Sequence, residues 1–527
     1  MATKVDKAIL TNIGALKTKY KDTGVAKIQK ALDALVASDK SRGLVTTIVA
    51  LDDAATMRKL SAPRVTDAKD PEQNKKAVDG VFKALAPDYL LLLGAIDVIP
   101  HQDLQNPMYD PSGEDLDQFA YGDLPYACEA PYSQQPQDFL GPTRVVGRLP
   151  DLTGGTDPSY LVGLLETAQS YKTSPTSHYL DYFGISAEMW QKSTSLSVTH
   201  VFGGPASLNT VPPNSDKWPS SELSKMSHFI NCHGAETSAQ FNGQPSSGAR
   251  VYPVALDAAY SDGKVTEGTV AAAECCYGGQ LYDPSLIGQM GICNTYLGNK
   301  AYAFFASTTI AYGPAASNGQ ADLICQYFLQ SVLRGASLGR AALQARQNFV
   351  RAASPPDPSD IKTLAQFNLY GDPSITPVAI PSSVAEAAPK GLSKAMAFVA
   401  AERVEREDRR KALFRFGLNL AMTEPRPRRT QVKPTKSVDT VLRNRARELG
   451  MTPGTILSFD VVHPRALATA LPKQMRVRKA TENRFHVVFG SQEKPQTKER
   501  GSVVDVTAMI AKEVDGEVVS VSKIVSR

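Results

Sequence analysis

Short apolar runs bounded by Gly, Pro or Asp alternate along the first 380 residues with longer stretches whose apolar positions recur every three or four residues. That second spacing predicts a helix over 5–40, followed by a buried strand in "GLVTTIVALD" (43–52) and a helix over 70–85. "YLLLLGAIDVIP" (89–100), closed by proline, and "PTRVVGRLPD" (142–151) read as strands, and "SYLVGLLETAQSYKT" (159–173) as a helix. The second half repeats the pattern. Strands are predicted at 195–203, 228–234, 268–276 and 301–310, helices at 319–335 and 337–353, and a Gly-Asp-Pro turn within 367–377. Strands alternating with helices predict an α/β fold with a parallel or mostly parallel sheet.

Beyond residue 380 the pattern changes. Residues 392–421 predict a long charged helix, and "TEPRPRRTQVKPTKS" (423–437) a Pro/Arg/Lys linker. Residues 455–527 predict a small antiparallel or α+β unit, with a hairpin in 512–523 turning at Asp515-Gly516. The expected organisation is an N-terminal α/β subdomain (1–155), a second α/β subdomain (156–380), the helix and linker (381–437) and a basic α+β domain (438–527).

Charge sharpens that division. Residues 381–527 hold 28 Lys+Arg against 16 Asp+Glu, whereas the rest holds 30 against 37. A mildly acidic body thus carries a basic C-terminal region, whose expected partner is an acidic protein or nucleic acid. No apolar run reaches the roughly 18 residues that span a bilayer, and the first residues mix charges into their apolar pattern. No membrane association is expected. Six cysteines in 527 residues do not make a disulfide framework, so the expectation is a cytoplasmic chain with reduced thiols.

Two stretches carry chemistry: "SHFINCHG" (227–234) and "AECCYGG" (273–279). Each ends an apolar strand, and side chains gather at the carboxyl edge of a parallel sheet. His233 and one of the adjacent cysteines, Cys275 or Cys276, would meet there. The following glycines, Gly234 and Gly278-Gly279, let the backbone turn sharply and approach a substrate closely. A thiolate is the reactive form of cysteine, an imidazole can protonate a departing amine, and backbone N–H groups at such turns can bind an oxyanion. Zinc is disfavoured, because adjacent strand residues face opposite ways and no C-x₂-C pair occurs. Cys232 should face the core with Cys128, Cys293 and Cys325; His228 reads as structural, and His101 as a loop residue with a smaller chance of lying near the site.

The two stretches resemble the His-Gly and Cys motifs of the caspase-like cysteine peptidases, and most closely the gingipain-type family. "YLLLLGAIDVIP", "YGDLPYA" (121–127) and "PTRVVGRLP" look like that family's N-terminal subdomain, "SLGRAALQARQNF" and "NLYGDPSI" like the end of its catalytic subdomain. The resemblance covers residues 85–378 and implies a caspase-like sheet flanked by helices. It assigns Cys276 as nucleophile, His233 as its partner with Gly234, and Glu274 as the carboxylate of a pocket for Arg or Lys. It also points to Tyr312 and Ser307 along that pocket and to Asp123 as an acid that orients the histidine. It implies a cysteine endopeptidase acting on a protein substrate with Arg or Lys before the scissile bond, with no cofactor or catalytic metal and structural calcium left open. The sequence departs from the gingipains in showing no secretion signal and in carrying its basic C-terminal region, so a cytosolic enzyme of limited or regulated action is expected. The linker 424–436 would then be a self-cleavage site near Arg428 or Arg429. The contrasting expectation is a non-proteolytic scaffold that uses its basic domain for nucleic acid or an acidic partner.

Overall fold

A computed structural model describes residues 4–112, 114–379, 394–462, 483–491 and 501–527. Ten strands form one sheet: β1 (Lys7–Thr11), β2 (Thr46–Ala50), β3 (Tyr89–Leu93), β4 (Val146–Leu149), β5 (Tyr182–Ala187), β6 (Leu208–Val211), β7 (Ser227–Asn231), β8 (Val270–Ala273), β9 (Ala303–Ser307) and, beyond the two-residue β10 (Tyr312–Gly313), β11 (Phe367–Tyr370). Their spatial order is β2-β1-β3-β4-β11-β9-β8-β7-β5-β6. Pairing is parallel throughout except between β9 and β11, where Phe304 faces Tyr370 in antiparallel register. Two parallel halves of opposite direction therefore share one sheet, with helices such as Ile13–Ser41 and Leu338–Ala352 packed on it. The α/β class expected from the sequence is the class observed.

Most strands of the sheet are wholly buried, including ones that carry polar residues, such as β7 with Ser227, His228 and Asn231. β3, β7, β8 and β9 have every residue buried, as parallel strands covered on both faces require. Small Ala271–Ala273 let the helices above and below β8 approach closely. β7 and β8 are neighbours, with Ile230 level with Ala273. That register alone sets His233 and Cys276, each three residues further on, at the same height on the sheet's carboxyl edge.

Several expectations need correction. Residues 195–203 lie in a helix, Gln191–Phe202, stopped by Gly203 at φ +89°. Their β-branched residues suggested a strand, but Ser193, Thr194, Ser197, Val198 and Val201 are buried at helical spacing against the helix Gln320–Leu333. The strands of this region are β5 and β6. Residues 7–11 form strand β1, between the edge strand β2 and β3, rather than the start of a helix, because "KAILT" is a short buried run. The supposed linker contains β12 (Arg426–Thr430), paired with β13 (Pro453–Val462). Proline and alternating charge are tolerated there because β12 is an edge strand.

The basic region forms a second, antiparallel sheet with β14 (Asn483–Gly490), β15 (Thr507–Val514) and β16 (Glu517–Ser526), and the helix Lys436–Glu448 packs on it. The hairpin turns at Asp515-Gly516, both at positive φ. The sheet order is β10-β16-β15-β14-β13-β12. Its far edge is β10, a strand of the first body, so the C-terminal strand β16 lies beside the half of that body that carries β7, β8 and β9.

Candidate active site

His233 and Cys276 sit where the register puts them, both buried. Gly234 follows His233 so tightly against the next strand end that a Cβ there would lie 1.8 Å from the Cys276 carbonyl oxygen. Only glycine fits. The turn after Cys276 is made differently from the expectation. Positive φ falls on Tyr277 (+55°), not on Gly278 or Gly279, a costly conformation for a bulky residue. Tyr277 is held there by its N–H donating to Thr309 O (3.1 Å) and its hydroxyl donating to Asp117 (2.8 Å). Gly279 serves packing: a Cβ would come within 2.7 Å of the Tyr370 ring. Below this turn Lys362 bridges Asp115 (2.6 Å) and Asp117 (3.8 Å).

The His233 ring lies against Trp190 (centroids 4.4 Å apart) and Tyr252 (5.0 Å). Its Nε2 is 2.7 Å from Gln244 Oε1. The Gln244 amide nitrogen donates to Ala249 O (3.2 Å), which turns the amide oxygen toward the ring. Nε2 therefore carries the proton and Nδ1 is the free base; Nδ1 is buried and makes no hydrogen bond. Asp123 is engaged elsewhere, gripped by Arg148 through Nε (2.9 Å) and Nη2 (2.6 Å) and facing His101 at 4.0 Å. The side chain on His233 is thus Gln244, and the sequence carried no motif that would have marked it.

The site is filled by the last residue of the sequence. The Arg527 main-chain oxygen accepts from Cys276 N–H (3.0 Å) and Gly234 N–H (3.3 Å), and Arg527 N–H donates to Ala311 O (3.0 Å). Cys276 Sγ lies beside the same segment, 3.3 Å from Ala311 N. The guanidinium is fully buried. Its Nη2 donates to Asp322 Oδ2 (2.8 Å), Pro314 O (2.8 Å) and Ser193 Oγ (3.4 Å), and its plane lies 4.6 Å from the Trp190 ring. Gly313 leaves room for it, since a Cβ there would lie 2.4 Å from Nη2.

Glu274 is buried beside this pocket. Burial first, and the nearby Asp322 charge second, push its carboxyl well above the usual range, with Arg527 opposing. Glu274 is therefore held neutral, and Asp322, braced by Asn231 Nδ2 (3.3 Å), supplies the ion pair. Tyr312 contributes backbone rather than a side-chain wall: it pairs with Ser526, while its hydroxyl donates to Asp115 (2.8 Å). Ser307 Oγ donates to Thr309 O (2.6 Å) and so braces the Tyr277 turn. Sequence reasoning missed Asp322, Trp190 and Arg527. The available signal was a carboxylate on the buried stripe of an amphipathic helix.

Burial dominates the protonation of the dyad. It pushes the Cys276 thiol up to about 12, partly offset by the Ala311 backbone, and lowers His233 to about 4 despite Gln244. With Arg527 in place the pair is a neutral thiol and a neutral imidazole. The open cavity of about 420 Å³ lined by Cys128, Asp138, Leu418 and Arg426 lies away from the dyad. Among the described residues no cluster of His, Cys, Asp and Glu is placed to hold a metal, and no helix is long and apolar enough to cross a membrane.

No family model matches the chain, and no curated protein matches its sequence. Among solved structures, one described as a protease aligns at 12% identity over 99% of this chain and 97% of its own, with a TM-score of 0.45. Gingipain R, an Arg-specific cysteine proteinase, aligns at 10% identity over 99% and 98%, with a TM-score of 0.46.

Proposed function

We propose that the chain is a cysteine endopeptidase that cleaves proteins after arginine, and more slowly after lysine. One observation carries the reading: a main-chain oxygen held by the N–H groups of Cys276 and Gly234, on a residue whose guanidinium ends on Asp322. In that pose a scissile carbonyl would lie beside Sγ. Cys276 Sγ attacks the carbonyl carbon while its proton passes to the His233 imidazole, and the oxyanion that forms is held by the two N–H groups. The imidazolium protonates the leaving amine and a thioester remains. Water, deprotonated by the same ring, then releases the acid and restores the thiol.

A panel of peptides differing only in the residue before the bond tests this. Arg should lead, Lys should follow, and neutral norleucine and Asp should be poor. A planar guanidinium stacks on Trp190 and pairs with Asp322 in a way a point charge cannot. Preference for Asp, or no turnover of any peptide after the pocket has been vacated, would overturn the reading.

Asp322→Asn should lower kcat/KM for Arg peptides by about 10–100-fold, the value of one hydrogen-bonded charge, and should flatten the difference between Arg and norleucine. Glu274→Gln should do far less, because a neutral carboxyl is being replaced by a neutral amide. Steady-state kinetics on the two variants decide which carboxylate selects arginine.

Gln244 acts through the ring. Gln244→Ala should lower kcat by roughly 10-fold, less than the roughly 10²–10⁴-fold of the acid–base group it positions, and leave KM unchanged. Gln244→Glu places a carboxylate on Nε2, which favours imidazolium and raises its pKa. The reaction needs the neutral ring to take the thiol proton, so the acid limb of kcat against pH should move upward. An unchanged limb would remove Gln244 from this role.

A further inference from the structure

We propose that Val525–Ser526–Arg527 is a substrate-mode ligand of the chain's own cleft, which reads arginine at the first position and an apolar residue at the third and stays closed to other peptides until this segment leaves. The inference rests on the peptidase reading for its functional meaning, but its geometry is independent of turnover.

The segment is seated like an incoming strand. Ser526 pairs with Tyr312 and Val525 with Gly313, antiparallel. An extended peptide added to a free strand edge gains main-chain hydrogen bonds and reads alternate side chains in pockets. Residues 525 and 527 share a face. Arg527 enters the Trp190–Asp322 pocket, and Val525 packs on Ala187 and Trp190, with Met189 and Ala315 alongside. Ser526 faces the other way. Its hydroxyl donates to Val504 O (2.6 Å) and accepts from Val506 N–H (2.9 Å) within its own domain. The cleft therefore reads the first and third positions of the bound strand and leaves the second to the C-terminal domain.

The same domain clamps the other rim. Ala235, two residues past His233, bridges Val503, and Gly501 N–H donates to Glu236 O (2.9 Å). Arg250 reaches Asp505 at 3.2 Å. Both walls of the cleft are thus tied to residues 501–527. A tethered ligand acts at an effective concentration of about millimolar. A segment whose free peptide binds at about 10 μM would then occupy the cleft about 99% of the time and suppress activity about 100-fold.

The test uses the full chain, Arg527→Ala, and fluorescein-labelled Ile-Val-Ser-Arg. In anisotropy measurements on Cys276→Ala protein, the labelled peptide should bind when Arg527 is also alanine, should bind at least about 10-fold more weakly to the chain that keeps Arg527, and should bind about 10–100-fold more weakly to the Arg527→Ala chain when Asp322→Asn is added. In turnover assays with Arg peptides, Arg527→Ala should be about 100-fold faster than the unaltered chain and Arg527→Lys intermediate. The unlabelled tetrapeptide should inhibit Arg527→Ala competitively. A thermal melt shows whether Arg527→Ala remains folded; Arg527→Lys gives a second route if it does not. Equal turnover by the unaltered chain and Arg527→Ala would overturn the closure while leaving a working peptidase. Peptide binding without turnover in any variant would keep the ligand assignment and sink the peptidase reading. Failure of the peptide to bind the vacated cleft would overturn the inference itself.

Discussion

Cys276→Ala removes peptide cleavage, by roughly 10⁴-fold or more, while Cys275→Ala keeps substantial activity. The two thiols are adjacent, so sequence position alone does not separate them. Geometry does. Cys276 N–H donates to the same Arg527 oxygen that Gly234 N–H holds, and Cys276 Sγ lies against the Ala311 backbone on the occupied side of the cleft. Cys275 precedes it, and burial raises its thiol pKa well above the ordinary value, with neighbouring Cys232 adding to the shift. Burial raises the Cys276 thiol as well, so the backbone contacts of Cys276, and not protonation, separate the two. Alanine at 275 costs some stability through the lost sulfur, so thermal melting accompanies the kinetics. An inactive but folded Cys275→Ala beside an active Cys276→Ala would reverse the assignment.

His233→Ala lowers kcat by about 10²–10⁴-fold, the usual contribution of a positioned acid–base group, with KM for Arg peptides nearly unchanged. The pocket that sets KM is built from Asp322, Trp190, Ser193, Gly313 and Pro314, and none of their contacts with Arg527 passes through the imidazole. The measurement is steady-state kinetics in the Arg527→Ala background, where the cleft is open. Loss of the ring removes a surface that both Trp190 and Tyr252 pack against, so a small drop in melting temperature is expected. A variant with nearly full kcat would exclude His233 from proton transfer.

The meeting of His233 and Cys276 at one edge of the sheet was legible because both residues end short apolar strands, and strand ends in a parallel sheet converge. His-Gly and Cys-Tyr-Gly-Gly are local patterns, and the β7/β8 register needed no further information to bring them level. The pocket was half legible. Glu274 is two residues from Cys276 and lies buried within electrostatic reach of Arg527, but the contact to the guanidinium comes from Asp322, on a helix distant in sequence whose first-turn carboxylate reads equally well as a helix-dipole partner. Gln244 and Trp190 carry no spacing signal at all. Asp123 was eligible through the family resemblance, as an upstream acid, yet Arg148 on β4 captures it with two hydrogen bonds. Periodicity failed where polar β-branched residues pack a helix, as in Gln191–Phe202, and where a buried strand runs straight into a helix, as β1 does at Ile13.

The basic C-terminal region shows how composition can point past the specific fact. Its excess of Lys and Arg suggested a diffuse electrostatic surface, with the Pro/Arg linker as the segment best suited to the cleft. In the structure Arg428 and Arg429 lie in the edge strand β12, and the arginine in the pocket is Arg527. Among so many basic residues only the strand pairing of β16 with β10 distinguishes it, and that pairing is non-local.

The central claim, an arginine-selective cleft built around Cys276, is tested most directly by covalent capture. Arg527→Ala protein is treated with peptidyl acyloxymethyl ketones that differ only in carrying Arg or Asp at the reactive end, and the adduct is mapped by peptide mass spectrometry. The account predicts one adduct, on Cys276, formed rapidly with the Arg reagent, barely with the Asp reagent, and much more slowly once Asp322→Asn is introduced. An adduct on Cys275, or equal labelling by the Arg and Asp reagents, would contradict it.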